Sequence, residues 1–460
     1  MNDHEMVRRE LNRGNREAAL RGVQTILAKS PKDFNAHSCL LLLQHYTETD
    51  PAKLFQEHLN WARLHAPPIR NPGLANSKEP DRRLRIGYVS SNFVSGHPVS
   101  YFIGPVLGEH DRELFQTYGY SNHSNAATEE WRTRADCWRE IGNLGDAEAA
   151  AAIRADGIDI LVDLAGHTSR RIMVYAFRPA PVIVTWIGYP NTTGMGAIDY
   201  RITDSTADPA GFDQFYAERL IRLESGFLCY APPANAPAPG PPPAIARRIV
   251  TFGVFQYPPK ITLEMLETWA QVLRHTPHSR ILFHHCYSDY ASQDGPVRNW
   301  IVERLTASGI QAERLHFAGY TPALGDHLGF YKHVDIALDT FPYNGTTTTF
   351  ECLWMGVPVV SWSGGAHAGR VGASVLSRLD LGRLVNSSAA EYVECALTLA
   401  ANLDELAALR TSLRSRMADS PLLQAGRFTR GLEREYRRIW SEWCSAHRSG
   451  GAIELEEASE

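Results

Sequence analysis

Residues 334–355 read VDIALDTFPYNGTTTTFECLWM, and this stretch decides the fold. Val334 to Leu338 is a short apolar run, the pattern of a strand buried on both faces. Thr347 to Met355 reads as a helix, and Asn344-Gly345 with the threonines makes the turn between them. A Gly followed by threonines at a helix start presents backbone N–H groups and hydroxyls, which suit a diphosphate. Glu351 lies about one turn into the helix, where a carboxylate could accept both hydroxyls of a ribose. The plainer alternative is capping by threonine. Capping needs one such residue, and Thr346, Thr347, Thr348 and Thr349 exceed that need.

The same alternation runs outward in both directions. Upstream come strand Ile249–Phe252, helix Leu263–Arg274, strand Arg280–His284, helix Val297–Ser308, strand Leu315–Phe317 and helix Asp326–Lys332. Downstream come strand Val357–Trp362 and helix Val371–Leu379, with a final helix over Thr429–Trp443. Ala231 to Ala244 holds seven prolines and reads as a stiff, exposed linker. Before it a second set alternates: strand Leu84–Ser90, helix Pro98–Leu107, strand Phe115–Tyr120, helix Ala147–Ala155 and strand Ile158–Asp163, then short strands Val182–Gly188 and Tyr200–Thr203. Two α/β halves with parallel sheets imply a cleft, with ligands at the carboxyl ends of the strands. The first 65 residues carry helical stripes; Ala18-Ala19 in one and Pro31 at its end suggest a tetratricopeptide-like pair. One such unit cannot bury its own face, so it should pack on an element later in the chain.

The expected division is 1–66 tetratricopeptide-like, 84–230 and 247–420 Rossmann-like, 231–246 linker and 421–446 closing helix. The 460 residues are 44% hydrophobic and 21% charged, which excludes wholesale disorder. A net charge of -5 argues against a dedicated nucleic-acid binder. Seven scattered cysteines without zinc spacing read as free thiols in a reducing compartment. No run approaches the ~20 apolar residues of a membrane span, and Met1 to Arg13 has no signal-peptide core. A cytoplasmic enzyme is the expectation.

Other candidates sit at strand ends. Lys260, in FQYPPKI after the first strand of the second half, could neutralise phosphate charge on a leaving group. The alternative is a solvated lysine, although a lysine near a helix start opposes the dipole. His97, in SNFVSGHP, could act as a base or orient an acceptor hydroxyl, or merely cap the next helix from before Pro98. Asp163 and His167, in DLAGHT, are similarly placed, with a structural role for Asp163 slightly preferred. Gly188, in WIGYP, could let a ligand approach the backbone, or form a tight turn. His284 and His285 beside Cys286 make a poor metal site, because adjacent strand residues point to opposite faces.

Together these residues resemble the O-linked N-acetylglucosamine transferase and SPINDLY-like glycosyltransferases. The resemblance rests on RIGYVSSNFVSGHPVSYFI, DILVDLAGHT, FRPAPVIVTWIGYPNTTG, FGVFQYPPKI, HVDIALDTFPYNGTTTTFECLWMGVPVV and GRVGAS, in that order from Leu84 to Ser374. It implies a GT-B fold of two Rossmann-like domains facing a cleft. It also implies metal-independent, inverting transfer from a nucleotide sugar to a protein, with no cofactor. Carried over singly, Lys260 matches the lysine on the donor diphosphate and His97 the active-site histidine. His327 matches a nucleotide-contacting histidine, Gly345, Thr346, Thr347 and Thr348 the diphosphate loop, and Glu351 an acidic ribose contact. Gln256 and Gly188 lie in blocks on the donor side.

The sequence departs from the animal enzyme at four of these places. Leu324 stands for a lysine over the base, Thr346 for a histidine, Tyr257 for an amide and Tyr343 for a small cysteine beside the sugar. Tyr343 is therefore expected to reach the sugar end of the pocket. UDP-N-acetylglucosamine with a Ser or Thr acceptor is the first expectation. UDP-glucose or GDP-fucose as donor and Asn as acceptor stay open, as does a non-catalytic nucleotide-sugar or peptide-binding scaffold.

Overall fold

The computed structural model describes residues 2–68, 73–94, 96–123, 128–285, 290, 292, 295–319, 321 and 324–448. Ser95 and Cys286 lie outside these residues, as does the side chain of Leu324. The chain divides into two compact units, and neither is one continuous stretch. The first holds 58–205, 209–231 and the residues from 424 on; the second holds the residues up to 57, 206–208 and 232–423.

The first unit is a seven-stranded sheet. Its strands are β1 (Leu84–Ser90), β2 (Phe115–Ser121), β3 (Cys137–Glu140), β4 (Ile160–Asp163), β5 (Val182–Thr185), β6 (Tyr200–Thr203) and β7 (Arg219–Arg222). Their spatial order is β3-β2-β1-β4-β5-β6-β7, and every pairing is parallel. Ile86, Ile160, Leu161, Val162, Ile183 and Val184 are fully buried, as strands covered on both faces require. The closing helix, Ala425–Arg448, belongs to this sheet. Phe428 stacks on Trp186 at 5.8 Å, and Glu433 accepts from His110 Nδ1 at 2.9 Å.

The second unit is six-stranded: β8 (Val250–Val254), β9 (Ser279–Phe283), β10 (Leu315–Phe317), β11 (Ile336–Leu338), β12 (Val359–Trp362) and β13 (Val385–Asn386). The order is β10-β9-β8-β11-β12-β13, again all parallel. In each sheet the first-formed strand lies between neighbours reached in opposite directions. The β1/β4 and β8/β11 pairs are therefore the topological switch points, where open α/β sheets leave a crevice for ligands. The loops after β8 and β11 carry Lys260 and Gly345–Thr348; those after β1 and β4 carry His97 and His167.

Three expectations are corrected. The proline-rich segment is not a free linker: Arg410 Nε donates to Gly240 O at 2.6 Å, and Arg414 Nη2 to Pro237 O at 2.6 Å. Asp335 then caps the short helix Pro243–Arg247 through Ala244 N at 2.9 Å. The helix after β1 starts at Ser100 rather than Pro98, because His97 to Val99 form a separate turn closed by Ser100 N–H to His97 O. The strand expected over Val182–Gly188 stops at Thr185, and Ile187 takes φ 56.

The N-terminal segment is four helices, Asp3–Asn12, Arg16–Lys29, Phe34–Gln44 and Pro51–His65. Val7, Leu11, Ala19, Val23, Ile26, Ala36, Leu43 and Tyr46 form its core, and Tyr343 packs against it. The expected packing on a later element is thus onto the second unit for the first three helices, whereas His58 and Trp61 of the fourth belong to the first unit.

Candidate functional site

In the second unit the site is built on Asp339, the residue after β11. Its Oδ1 accepts from Thr340 N at 2.9 Å, Gly345 N at 2.7 Å and Gln256 Nε2 at 3.1 Å. Its Oδ2 accepts from Ser361 Oγ at 2.8 Å. Burial pushes this carboxyl up to about 6 against those bonds. Asp339 thereby folds the Thr340–Gly345 loop back on itself. Gln256 clips the loop to the end of β8, since its Oε1 also accepts from Thr348 Oγ1 at 3.2 Å. A Cβ on Gly345 would run into Gln256 Nε2, so a larger residue would have to displace the Gln256 amide from its bonds to Asp339 and Thr348.

What the loop leaves open is informative. The helix Thr347–Trp354 has no side-chain cap from Thr346; Thr349 N–H closes onto Thr346 O at 3.1 Å, which leaves the N–H groups of Thr347 and Thr348 without an intrahelical partner. The hydroxyls of Thr346 and Thr347 are half-buried and make no hydrogen bond. Lys260 Nζ donates to Asn344 O at 2.7 Å and lies 4.0 Å over the Tyr343 ring. Burial lowers this ammonium to about 8, with Asp339 opposing the shift. One turn along, Glu351 Oε2 accepts from Tyr331 Oη at 2.9 Å and His327 Nε2 at 3.0 Å, while Oε1 makes no hydrogen bond. His327 Nδ1 lies 2.9 Å from His284 Nε2. Both His327 nitrogens are thus engaged by protein, and the ring orients Glu351. The arrangement offers a cation, two hydroxyls, helix N–H groups and a free carboxylate oxygen about one turn away.

Two of these groups give direct tests. The charged lysine is the form that holds a phosphate, and burial, which lowers the ammonium to about 8, makes it the minority form in the free protein above that pH. Above that, binding must take up a proton, so nucleoside diphosphate affinity should fall by about tenfold per pH unit. Titration calorimetry with UDP from pH 7 upward checks this; a flat profile removes Lys260 from the site. Glu351→Ala should weaken every nucleoside diphosphate by roughly 1.5–3 kcal/mol whatever its sugar, through loss of a charged hydrogen-bond partner. Unchanged affinity would show that Oε1 serves nothing.

Tyr343 does not stand free toward a sugar. Its ring stacks on Tyr46 with centroids 5.5 Å apart. One face of the ring is taken up by packing against the N-terminal helices.

In the first unit, His97 is half-buried after β1. Its Nδ1 accepts from Val99 N at 3.2 Å, which places the neutral ring's hydrogen on Nε2. Burial lowers it to about 4. The side chain both caps its turn and presents an Nε2–H donor. Asp163 is saturated: it accepts from Ala165 N, Gly166 N, Tyr175 Oη and Thr185 Oγ1, the last at 2.8 Å. His167 is buried against Trp61 and His58, with Nε2 2.9 Å from Thr193 O. Neither is left for an acceptor. Gly188 is corrected as well: a Cβ there would strike the Leu164 carbonyl oxygen and come within 2.6 Å of Ala165 Cα. The close approach is by the chain's own backbone.

The model of the family described as Glycosyl transferase family 41 matches residues 28–230 and 244–432. The chain belongs to glycosyl transferase family 41. Curated relatives in the family include the rice and Arabidopsis thaliana proteins named "Probable UDP-N-acetylglucosamine--peptide N-acetylglucosaminyltransferase SPINDLY". The rice protein is 42% identical over 414 residues, covering 88% of this chain and 44% of its own. The Arabidopsis protein is 40% identical over 416 residues, covering 88% and 45%. The chain thus spans less than half the length of these relatives. A solved mutant of the Thermobaculum terrenum O-GlcNAc transferase matches with TM-score 0.89 at 38% identity, over 95% of this chain and 83% of that one. A sucrose-phosphate synthase from Thermosynechococcus elongatus, TM-score 0.51 at 12% identity over 78% and 100%, shares the fold alone. The two Rossmann-like units are those of a GT-B fold, as the resemblance implied.

The family 41 motifs locate the threonine loop, Lys260 and Glu351 but not what holds them. Asp339 and Asn344 lie inside the threonine-loop motif without a role being assigned to them, and His284 and Tyr331 lie outside the motifs. Their one signal is position: Asp339 and His284 each directly follow a strand at the ligand edge. Among the described residues no three His, Cys, Asp or Glu side chains converge as metal ligands, and no helix is long and apolar enough to cross a membrane.

Proposed function

We propose that this chain transfers a sugar from a nucleoside-diphosphate donor to a Ser or Thr hydroxyl of a protein, with UDP-N-acetylglucosamine the first-choice donor. The observation that carries the reading is the second unit's set of open groups: the Lys260 ammonium, held at 2.7 Å by Asn344 O, beside threonine hydroxyls without partners and the free Glu351 oxygen. The N–H groups of Thr347 and Thr348 and the hydroxyls of Thr346 and Thr347 receive the diphosphate, Lys260 neutralises it, and Glu351, oriented by His327 and Tyr331, takes the ribose. The acceptor oxygen bonds the anomeric carbon as the bond to phosphate breaks. The nucleoside diphosphate leaves with the electron pair, and the hydroxyl proton passes to solvent water. Charge grows on the diphosphate as it leaves, so a fixed cation stabilises the transition state more than the ground state. His97 presents its Nε2–H as a donor to the acceptor or the sugar and, being neutral with Nδ1 occupied, orients rather than deprotonates.

The relatives' names support both donor and peptide acceptor. The free thiols at the six described cysteines fit a reducing, cytoplasmic setting. The test is a thermal-shift screen of UDP-N-acetylglucosamine, UDP-glucose and GDP-fucose, followed by transfer to a Ser/Thr peptide library read by mass spectrometry. A ligand at one hundred times its Kd stabilises by about 2.7 kcal/mol. No shift with any nucleotide overturns the reading. A shift without transfer leaves a sensor.

A further inference from the structure

The N-terminal helices have so far no part in this chemistry, yet three contacts tie them to the loops that carry it. Tyr46 is 4% exposed and stacks on Tyr343, whose ring carries the Lys260 ammonium. The turn between the first two helices abuts the lysine's own loop. Tyr257 Oη donates to Asn12 Oδ1 at 2.8 Å, and Arg16 Nη1 donates to Pro259 O at 3.2 Å. Gly14 in that turn has φ +72, and a Cβ there would come within 2.6 Å of Pro258 Cβ. The turn therefore lies flush on the loop.

We infer that these helices are a working part of the donor site, with Tyr46 and the Asn12–Arg16 turn as positioning residues that hold the Lys260 ammonium for the diphosphate. The inference rests on the reading of Lys260 as a diphosphate ligand. A lysine stem is flexible, and fixing it before the ligand arrives removes an entropy cost from binding. Asn344 O and the Tyr343 ring fix the ammonium, and Tyr46 fixes the ring. Taking Tyr46 away frees Tyr343 and lets water reach the lysine. The titratable neighbours of this stack are Asp339 and His285 near the lysine, Arg16 and Tyr257 near Tyr46, and Cys39, whose thiol burial pushes up to about 11. Hydrating the lysine moves its titration upward from about 8, toward the ordinary lysine range.

The experiment has two readouts on the full chain. Competitive acetylation of Lys260 across pH, read by mass spectrometry, reports the lysine without any nucleotide. UDP affinity at pH 7 reports the site. Tyr46→Phe, which keeps the ring, should match wild type in both. Tyr46→Leu should shift the acetylation midpoint up by about one unit, a roughly tenfold change in the amine fraction, and weaken UDP by about tenfold. Tyr257→Phe leaves the helical core intact if Tyr46→Leu fails to fold, and should weaken UDP by about threefold through the lost bond to Asn12. Wild-type titration and affinity in both Tyr46→Leu and Tyr257→Phe, with Lys260→Ala defective in UDP binding, overturns the role of the helices alone. Wild-type UDP binding by Lys260→Ala overturns the donor reading itself.

Discussion

Lys260→Ala should lower turnover by ~100–1,000-fold while the protein stays folded. The ammonium is preorganised by Asn344 O and the Tyr343 ring before any ligand binds, so it costs no reorganisation when charge appears on the leaving diphosphate. Loss of one preorganised partner of this kind is worth ~2.7–4 kcal/mol of the barrier. Folding should not suffer, because burial already disfavours the charged form. The effect should fall on kcat more than on KM. Single-turnover rates with a saturating donor, alongside unfolding curves, check this. Near-normal donor hydrolysis or transfer would remove the lysine from the mechanism.

Gly188→Ala should have the largest effect on stability. The new methyl would meet backbone, the Leu164 carbonyl and Ala165 Cα, and backbone cannot swing aside as a long side chain can. Overpacking costs ~1–3 kcal/mol and sometimes more. Here about 3 kcal/mol is expected, which for a unit of ~150–250 residues lowers Tm by ~6–12 °C. Scanning calorimetry should show an early transition with bound UDP unable to reverse it. An unchanged Tm with a raised donor KM would instead return Gly188 to the ligand.

The central strands are legible because each is a short apolar run between turns, and β1, β4, β5, β8, β11 and β12 are buried along almost their whole length. The edges are not. β3 is CWRE, half-exposed, and β7 is RLIR with an exposed first residue. β13 is two residues long. A strand paired on one side only needs no apolar run, so periodicity has nothing to find. The same limit governs the site. Four threonines after a glycine announce a loop that exceeds capping. Nothing in DLAGHT announces that Asp163 is filled by two N–H groups and two hydroxyls, and nothing in WIGYP announces which backbone Gly188 admits. Tyr343 is readable from sequence only through its small counterpart in the animal enzyme. Its actual neighbour, Tyr46, lies far back in the sequence and becomes visible only when the helices dock.

The closing helix sets a constraint on synthesis. Trp186 waits for Phe428, and His110 for Glu433, so the first sheet stays uncovered on that face while well over two hundred intervening residues leave the ribosome. The second unit, by contrast, has its helices Asp3–Asn12 to Phe34–Gln44 synthesised before its sheet. The sheet that is encoded first is therefore covered last. A nascent chain halted before Gln424 holds every residue of the second unit while the closing helix of the first sheet is still missing, a state with transiently exposed apolar surface.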